Sequence, residues 1–329
     1  MNKELDFNSI AAESNFAQRA NPVFNTAKTT LFQLAASEDK NAGIVADKLG
    51  VTFDNSHSST NTKIPMEITT INNLMLEMRY KTIGKMAIDS NCPIIMDLPC
   101  GYMPRGLEII EKNIHYVGVD LPVTIEEGSP VIFSLSDEKK RDLLRLKGAD
   151  ATNYRTLEDA LSGLDGELCI TTEGLMMYLT DSEIGELCDN IAKLLRKHGG
   201  CWITADIEAS LQFVLIARPL FGERFMDIMA QMKKTFGEKS DIQVGPRALV
   251  IGAKEGAEGM KKAMMFLTKH GLKAERMIVA EHMPKLNMLS KIESEKAKAI
   301  MEAMHQCAYW KITLLDSGSS ADEPTKKRT

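Results

Sequence analysis

The sequence predicts an α/β protein built on a doubly wound, mainly parallel sheet, and three observations carry that reading. Short apolar runs bounded by turn residues recur at 94–98, 115–119, 143–147, 167–171, 200–205, 275–280 and 308–315. Segments with helically spaced apolar residues separate most of them, the alternation expected of βαβ units. The stretch 94–120, IIMDLPCGYMPRGLEIIEKNIHYVGVD, reads as strand, glycine-containing turn, helix, strand and terminal acid. That is how a parallel sheet holds the ribose of a nucleoside.

The elements follow in order. Residues 1–50 read as helical, with apolar residues spaced three to four apart and Gly50 as a stop. Residues 51–63, VTFDNSHSSTNTK, read as a polar loop. Ile68, Ile71, Leu74, Met75, Met78, Ile83 and Met86 form one face of a helix over 65–90. These segments make an N-terminal helical cap over 1–90, followed by a sheet domain over 91–315. The helical stretch 207–236 is expected to belong to an inserted lid, about 207–250, and 255–270 to a crossover helix. Residues 281–306 lead to a last strand containing Trp310. The tail 316–329, DSGSSADEPTKKRT, is expected to be disordered. TDSE at 180–183 is a capping box for a helix.

Composition narrows the function classes. The 329 residues are 44% hydrophobic and 26% charged, suited to a soluble protein with a large core. A net charge of −5 with scattered basic residues argues against nucleic-acid partners. No apolar run is long enough to span a membrane, and the polar, acid-bearing start MNKELDFNSIAAESNF reads as neither a secretory signal nor a transit peptide. Cys92, Cys100, Cys169, Cys188, Cys201 and Cys307 show no C-x-x-C spacing, and several sit in apolar runs. They read as buried free thiols in a cytoplasmic protein, and with six dispersed histidines no zinc site is expected. The 20 methionines read as adaptable core packing, with a pliable substrate wall as the sharper alternative.

The turn after the first strand bears on the cofactor. Nineteen residues separate Gly101 from Asp120, against roughly 20 between such a turn and its acid. A pyrophosphate site wants G-x-G-x-x-G, but the corresponding positions are Pro99, Gly101 and Pro104. Two of these lack an N–H and cannot adopt positive φ. The loop therefore favours S-adenosylmethionine, which has no phosphates, over NAD. The plainer alternative is a buried βαβ unit without a ligand.

Three further features fall at the same sheet edge. Asp150, with the Ala151 backbone N–H, can meet an adenine; the plainer reading makes Asp150 an Asx turn or a helix cap. Glu173, in ELCITTEGLMMYL, suits an ammonium or a nearby positive group, and otherwise caps a helix in solvent. Arg79, in LMLEMRYKTIGKM, can grip a carboxylate, and otherwise lies on a solvated helix face.

EGLMMYL resembles the signature of the leucine carboxyl methyltransferase family, DLPCGYMPRG its glycine-rich first motif, and VGVDLP its second. The resemblance spans about residues 25–205. It implies a doubly wound, seven-stranded class I methyltransferase (Rossmann-like) sheet, order 3-2-1-4-5-7-6 with the last strand antiparallel, carrying the helical cap and lid. It implies S-adenosylmethionine contacts at Arg79, Gly101, Asp120, Asp150 and Glu173, beside the Ala151 N–H read above from the residues themselves. Lys28 is a candidate for a further basic contact. Pro99, Met103 and Pro104 depart from the family pattern, while Arg105 is retained.

The reaction implied is methyl transfer to an oxygen held in line with the sulfonium carbon. A carboxylate nucleophile needs no base; a hydroxyl needs one. His282, Glu208 and Tyr178 are catalytic candidates. Tyr178, Arg218, Arg224 and Arg247 are candidates for orienting an acidic substrate, with Phe213, Phe221 and Phe225 supplying an apolar lid face. The expected activity is O-methylation of a small molecule. The alternatives are a protein C-terminal carboxylate as substrate, a catalytically silent binding protein and, least favoured, an NAD-dependent oxidoreductase.

Overall fold

The computed structural model describes residues 21–51, 66–236 and 248–316. The loop expected at 51–63 and the tail after 316 lie almost wholly outside the described residues, as does Arg247.

Among the described residues three helices precede the sheet: α1 (Asn21–Ala36), α2 (Lys40–Lys48) and α3 (Met66–Asp89). Asp39 starts α2 by accepting a hydrogen bond from the Ala42 N–H. Leu31 and Leu34 of α1 and Val45 of α2 are fully buried and share a core with Ile71, Leu74 and Ile83 of α3. The apolar face expected on α3 is thus the one that the cap covers.

The chain then alternates: β1 (Ile94–Asp97), α4 (Arg105–Ile110), β2 (His115–Asp120), α5 (Pro122–Leu135), β3 (Leu144–Gly148), α6 (Tyr154–Ala160), β4 (Leu168–Thr172), α7 (Asp181–His198) and β5 (Gly200–Thr204). Thr180 and Glu183 make the expected reciprocal capping box at the start of α7, and Gly199 ends that helix at φ 76°. After β5 come α8 (Ala209–Phe221), α9 (Phe225–Phe236), α10 (Gly256–Lys269), β6 (Leu272–Ile278), α11 (Val279–His282), α12 (Ser294–Met304) and β7 (Ala308–Leu314).

The strands form one sheet in the order β3-β2-β1-β4-β5-β7-β6. β1 to β5 pair in parallel, and β7 runs antiparallel to both β5 and β6. This is a Rossmann-like class I methyltransferase fold with helical insertions.

Side-chain alternation sends successive strand residues to opposite layers. Ile95, Cys169, Cys201, Ile203 and Tyr309 pack under α3 and α8. Ile94, Met96, Ile170, Trp202 and Trp310 pack under α6, α7 and α10. All six cysteines are buried free thiols. Among the described residues no helix is long and apolar enough to cross a membrane.

Two elements differ from expectation. β6 starts at Leu272, three residues before the expected start, because Gly271 at φ 72° turns the chain directly from α10 into the strand. It is an edge strand carrying Lys273, Glu275 and Arg276, and those charges mask its apolar pattern. The insertion after β5 is helical, but α8 is a core helix: Ile216, Ala217, Leu220 and Phe221 are buried, and Gln212 Nε2 donates to the Ala308 carbonyl at 2.7 Å.

Candidate functional site

The loops after β1, β2, β3 and β4 meet at the C-terminal edge of the sheet, where open α/β sheets bind ligands. With Arg79 of α3 and Thr26, Ala27 and Thr30 of α1 they surround about 920 Å³ of space that opens to solvent.

The loop after β1 forms the floor. Gly101 adopts φ 54°, which explains the glycine; a side chain there would meet nothing within 4 Å. The loop's donors are largely engaged inside the protein. Cys100 N–H donates to the Val119 carbonyl at 2.9 Å, Gly101 N–H to Asp120 Oδ2 at 2.7 Å, and Met103 N–H to the Cys100 carbonyl at 3.2 Å. Pro104 stands at the start of α4 without a capping bond.

Asp120, the last residue of β2, lines the cavity and is nearly buried. Its Oδ1 accepts from the Leu121 N–H at 2.7 Å. Burial pushes its carboxyl up to about 6, against the opposing pull of the Gly101 and Leu121 N–H groups and the Thr124 hydroxyl.

Beneath the loop lies a buried ionic group whose centre is Arg105. Its Nη1 contacts Asp97 Oδ1 and Oδ2 at 2.8 and 2.7 Å. Its Nη2 donates to Glu173 Oε1 at 2.5 Å and to the Tyr80 carbonyl at 3.2 Å, and its guanidinium lies 4.6 Å from the Tyr80 ring centre. Asp97 also accepts from the Tyr116 and Thr171 hydroxyls at 2.9 and 2.8 Å. Burial raises the Asp97 carboxyl, and Arg105 opposes the rise.

Glu173 therefore faces positive groups, not solvent. Arg79 Nε stands 3.4 Å from its Oε2 on the cavity side. The turn that follows is held by Asp206, which accepts the Gly174, Leu175 and Met176 N–H groups at 2.6, 2.9 and 3.0 Å. Gly174 needs its φ of 70°, and a side chain there would meet Arg79 Nη2 at 3.4 Å. Tyr178 lines the far wall and hydrogen-bonds Thr26 of α1; burial raises its phenol.

The structure thus brings Arg79, Gly101, Asp120, Ala151, Glu173 and Tyr178 to one cavity. Asp150 is not in its lining, although Ala149 and Ala151 are. Asp150 Oδ1 accepts from Thr152 N–H and hydroxyl at 2.8 and 2.7 Å, the Asx turn that was the plainer reading.

Other candidates lie elsewhere. Glu208 is fully buried and gripped by Arg276 Nε and Nη2 at 2.5 and 2.8 Å and by Trp310 Nε1 at 2.7 Å, so it is no base for this cavity. His282 ends α11, outside the lining. Arg218 is exposed over the Phe225 ring, at 5.6 Å, and Arg224 pairs with Glu67 at 2.5 Å, so neither reaches the cavity wall. Lys28 pairs with Glu127 at 2.6 Å and lies 5.7 Å from the Tyr102 ring centre.

Sequence reasoning missed Asp97 and Asp206 and gave Arg105 no role. An acid inside the apolar run IIMDLP was the one available signal for Asp97. Among the described residues no cluster of three or more His, Cys, Asp or Glu is arranged to hold a metal ion.

No family model and no curated protein matches the sequence, so the leucine carboxyl methyltransferase likeness stands on its motifs alone. Solved structures are similar in shape. A DUF574 family protein from Streptomyces avermitilis is 13% identical, with a TM-score of 0.47 over 83% of this chain and 95% of that one. The methyltransferase domain of bacterial CtHen1-CN is 13% identical, with a TM-score of 0.44 over 74% of this chain and 100% of that one. An O-methyltransferase family protein from Burkholderia thailandensis is 9% identical, with a TM-score of 0.42 over 92% of this chain and 72% of that one. At such identities and scores the likenesses bear on neither activity nor substrate; the fold rests on the strand order.

Proposed function

We propose that the protein is an S-adenosylmethionine-dependent methyltransferase acting on an oxygen of a small molecule, with a carboxylate favoured over a hydroxyl. The observation that carries this is Asp120 at the end of β2, lining the cavity and tied to the Gly101 N–H beside a loop whose other donors are engaged internally. A carboxylate so placed suits a ribose diol. A loop with Pro99 and Pro104 and few available N–H groups does not suit a pyrophosphate, which disfavours a nicotinamide dinucleotide.

The donor set fits the rest of the cofactor. Asp120 would hold the ribose hydroxyls, and the alanines beside Asp150 would flank the base. Arg79 and Glu173, adjacent and oppositely charged, suit the carboxylate and ammonium of an amino acid. When bound, the cofactor supplies a methyl group on a positively charged sulfur, so departure needs no acid.

The chain's own residues favour an acceptor that is already an anion. The acidic groups lining the cavity are Cys100, Asp120, Glu173 and Tyr178. Burial raises the Cys100 thiol and the Tyr178 phenol, Glu173 is ion-paired, and Asp120 holds two N–H groups. Among the described residues none is disposed as a general base, and a carboxylate requires none. A protein C-terminus would satisfy the same chemistry and is the second reading for the acceptor. The altered loop around Pro99 and Pro104 favours one further reading, a catalytically silent binder of the same cofactor. The buried free cysteines suit a reducing, cytoplasmic setting.

The test is release of S-adenosylhomocysteine from S-adenosylmethionine in the presence of panels of small carboxylic acids, phenols and peptides with free C-termini. Turnover confined to small carboxylic acids supports the proposal. Turnover only on peptides selects the second acceptor, only on phenols rejects the carboxylate preference, and on no acceptor despite tight cofactor binding selects the silent reading.

A further inference from the structure

Three strands bring Glu173, Ala205 and Tyr309 into one row across the rim of the sheet. Thr172 pairs with Thr204, and Thr204 with Trp310. The next position toward the rim is therefore Glu173 after β4, Ala205 after β5 and Tyr309 in the antiparallel β7. Ala205 and Tyr309 belong to the core layer under α3, the helix that carries Arg79. Adjacent strands lie about 4.8 Å apart, which puts the Glu173 and Tyr309 backbones about 10 Å apart. The residue between them in the row is Ala205, whose side chain is a single methyl group.

The polar atoms in this corner share an unusual property. Arg79 Nε, Glu173 Oε2 and the Tyr309 hydroxyl are each buried without a hydrogen-bond partner. Arg79 and Glu173 are within ion-pair range at 3.4 Å but do not close a hydrogen bond. Orphaned buried polar atoms are rare in folded proteins, and those of Arg79 and Glu173 belong to residues that line the cavity, where a polar guest would satisfy them. Burial raises the Tyr309 phenol, and the charges that act on it most are those of Arg79, which opposes the rise, and Glu173. Tyr309 is fully buried and outside the cavity lining, so it reaches a ligand only through those two residues.

We propose that Tyr309 is a positioning residue for the amino-acid end of the cofactor, acting through Arg79 and Glu173, an inference that rests on the reading of the cavity given above. Its hydroxyl, available as donor and acceptor, orients the Arg79–Glu173 pair so that the guanidinium meets the ligand carboxylate and Glu173 Oε2 meets the ammonium.

The test compares two ligands on the full chain by calorimetry: S-adenosylhomocysteine, and 5′-methylthioadenosine, which lacks the amino-acid end. Tyr309→Phe keeps the ring and removes an unpartnered hydroxyl, so the ligand-free variant should melt no lower than wild type. It should bind S-adenosylhomocysteine about tenfold more weakly and 5′-methylthioadenosine unchanged. With Glu173→Gln already present, Tyr309→Phe should cause little additional loss, because the two act as one unit. Equal weakening of both ligands, no weakening of either, or full additivity with Glu173→Gln overturns the assignment. Wild-type protein that binds 5′-methylthioadenosine but not S-adenosylhomocysteine overturns it too, while leaving an adenosine site intact. Wild-type protein that binds neither overturns the reading of the cavity, and the role of Tyr309 falls with it.

Discussion

Arg105 holds Asp97 through one guanidinium nitrogen, 2.8 and 2.7 Å from the two carboxylate oxygens, while its other terminal nitrogen reaches Glu173 at 2.5 Å. One cation thus ties the end of β1 to the turn after β4 and sets the cavity floor against its inner wall. All three side chains are buried, so losing Arg105 leaves two buried carboxylates without their shared cation.

Arg105→Gln is expected to destabilise the fold by about 3–5 kcal/mol and to weaken ligand binding, since Glu173 loses its anchor. Urea midpoints with an unchanged m-value measure the first effect. A loss below about 1 kcal/mol would mean the pair contributes little to stability.

Asp120 imposes a pH dependence of known sign. Its folded-state pKa is raised from 3.8 to about 6 by burial. Its contribution to ligand-free stability is fully present below the unfolded value and is lost as pH rises through about 6, in total about 3 kcal/mol. Ligand affinity moves the opposite way, because ribose hydroxyls need the carboxylate form. S-adenosylhomocysteine affinity should rise about tenfold per pH unit up to about 6 and level off above it. Asp120→Asn should remove that slope; a slope unchanged in the variant would locate the titrating group elsewhere.

Glu208 acts in the core. Glu208→Gln weakens its charged contacts to Arg276 and Trp310 and should reduce stability by about 2–4 kcal/mol. S-adenosylhomocysteine affinity, measured well below the melting temperature, should stay within about twofold, as expected for independent sites. Retained stability with lost turnover would restore Glu208 as a catalytic base.

Asp206 accepts three backbone N–H groups from the turn bearing Glu173 and Tyr178. Asp206→Ala should weaken S-adenosylhomocysteine binding at least about tenfold, since a bond to a charged acceptor contributes about 1.5–3 kcal/mol. Amide hydrogen exchange should rise first in 174–178; an unchanged exchange pattern would contradict the role.

Much of the fold was legible because its information is local. β1, β2, β4 and β5 are apolar runs ended by turn residues, and the Thr180–Glu183 box announces α7 within four letters. β6 was half hidden because an edge strand carries charges where a central strand would not. The cavity residues were legible where chemistry attaches to strand ends, as at Asp120 and Glu173. Partnerships across long separations were not. Glu208 reads as a free acid until Arg276 and Trp310 are brought to it from 68 and 102 residues away. Arg218 and Arg224 read as cavity cations because helical periodicity does not say which sheet edge a helix faces. Asp150 shows the converse: its turn is local, and Thr152 captures it.

The rim formed by Arg79, Asp120 and Glu173 is expected to bind an adenosyl amino acid. Calorimetric titration with S-adenosylhomocysteine tests it most directly, on wild type and on Asp120→Ala and Arg79→Ala. The wild type should show one site per chain, and each variant a loss of at least about tenfold. Absence of binding in the wild type, or binding that both variants retain in full, would contradict it.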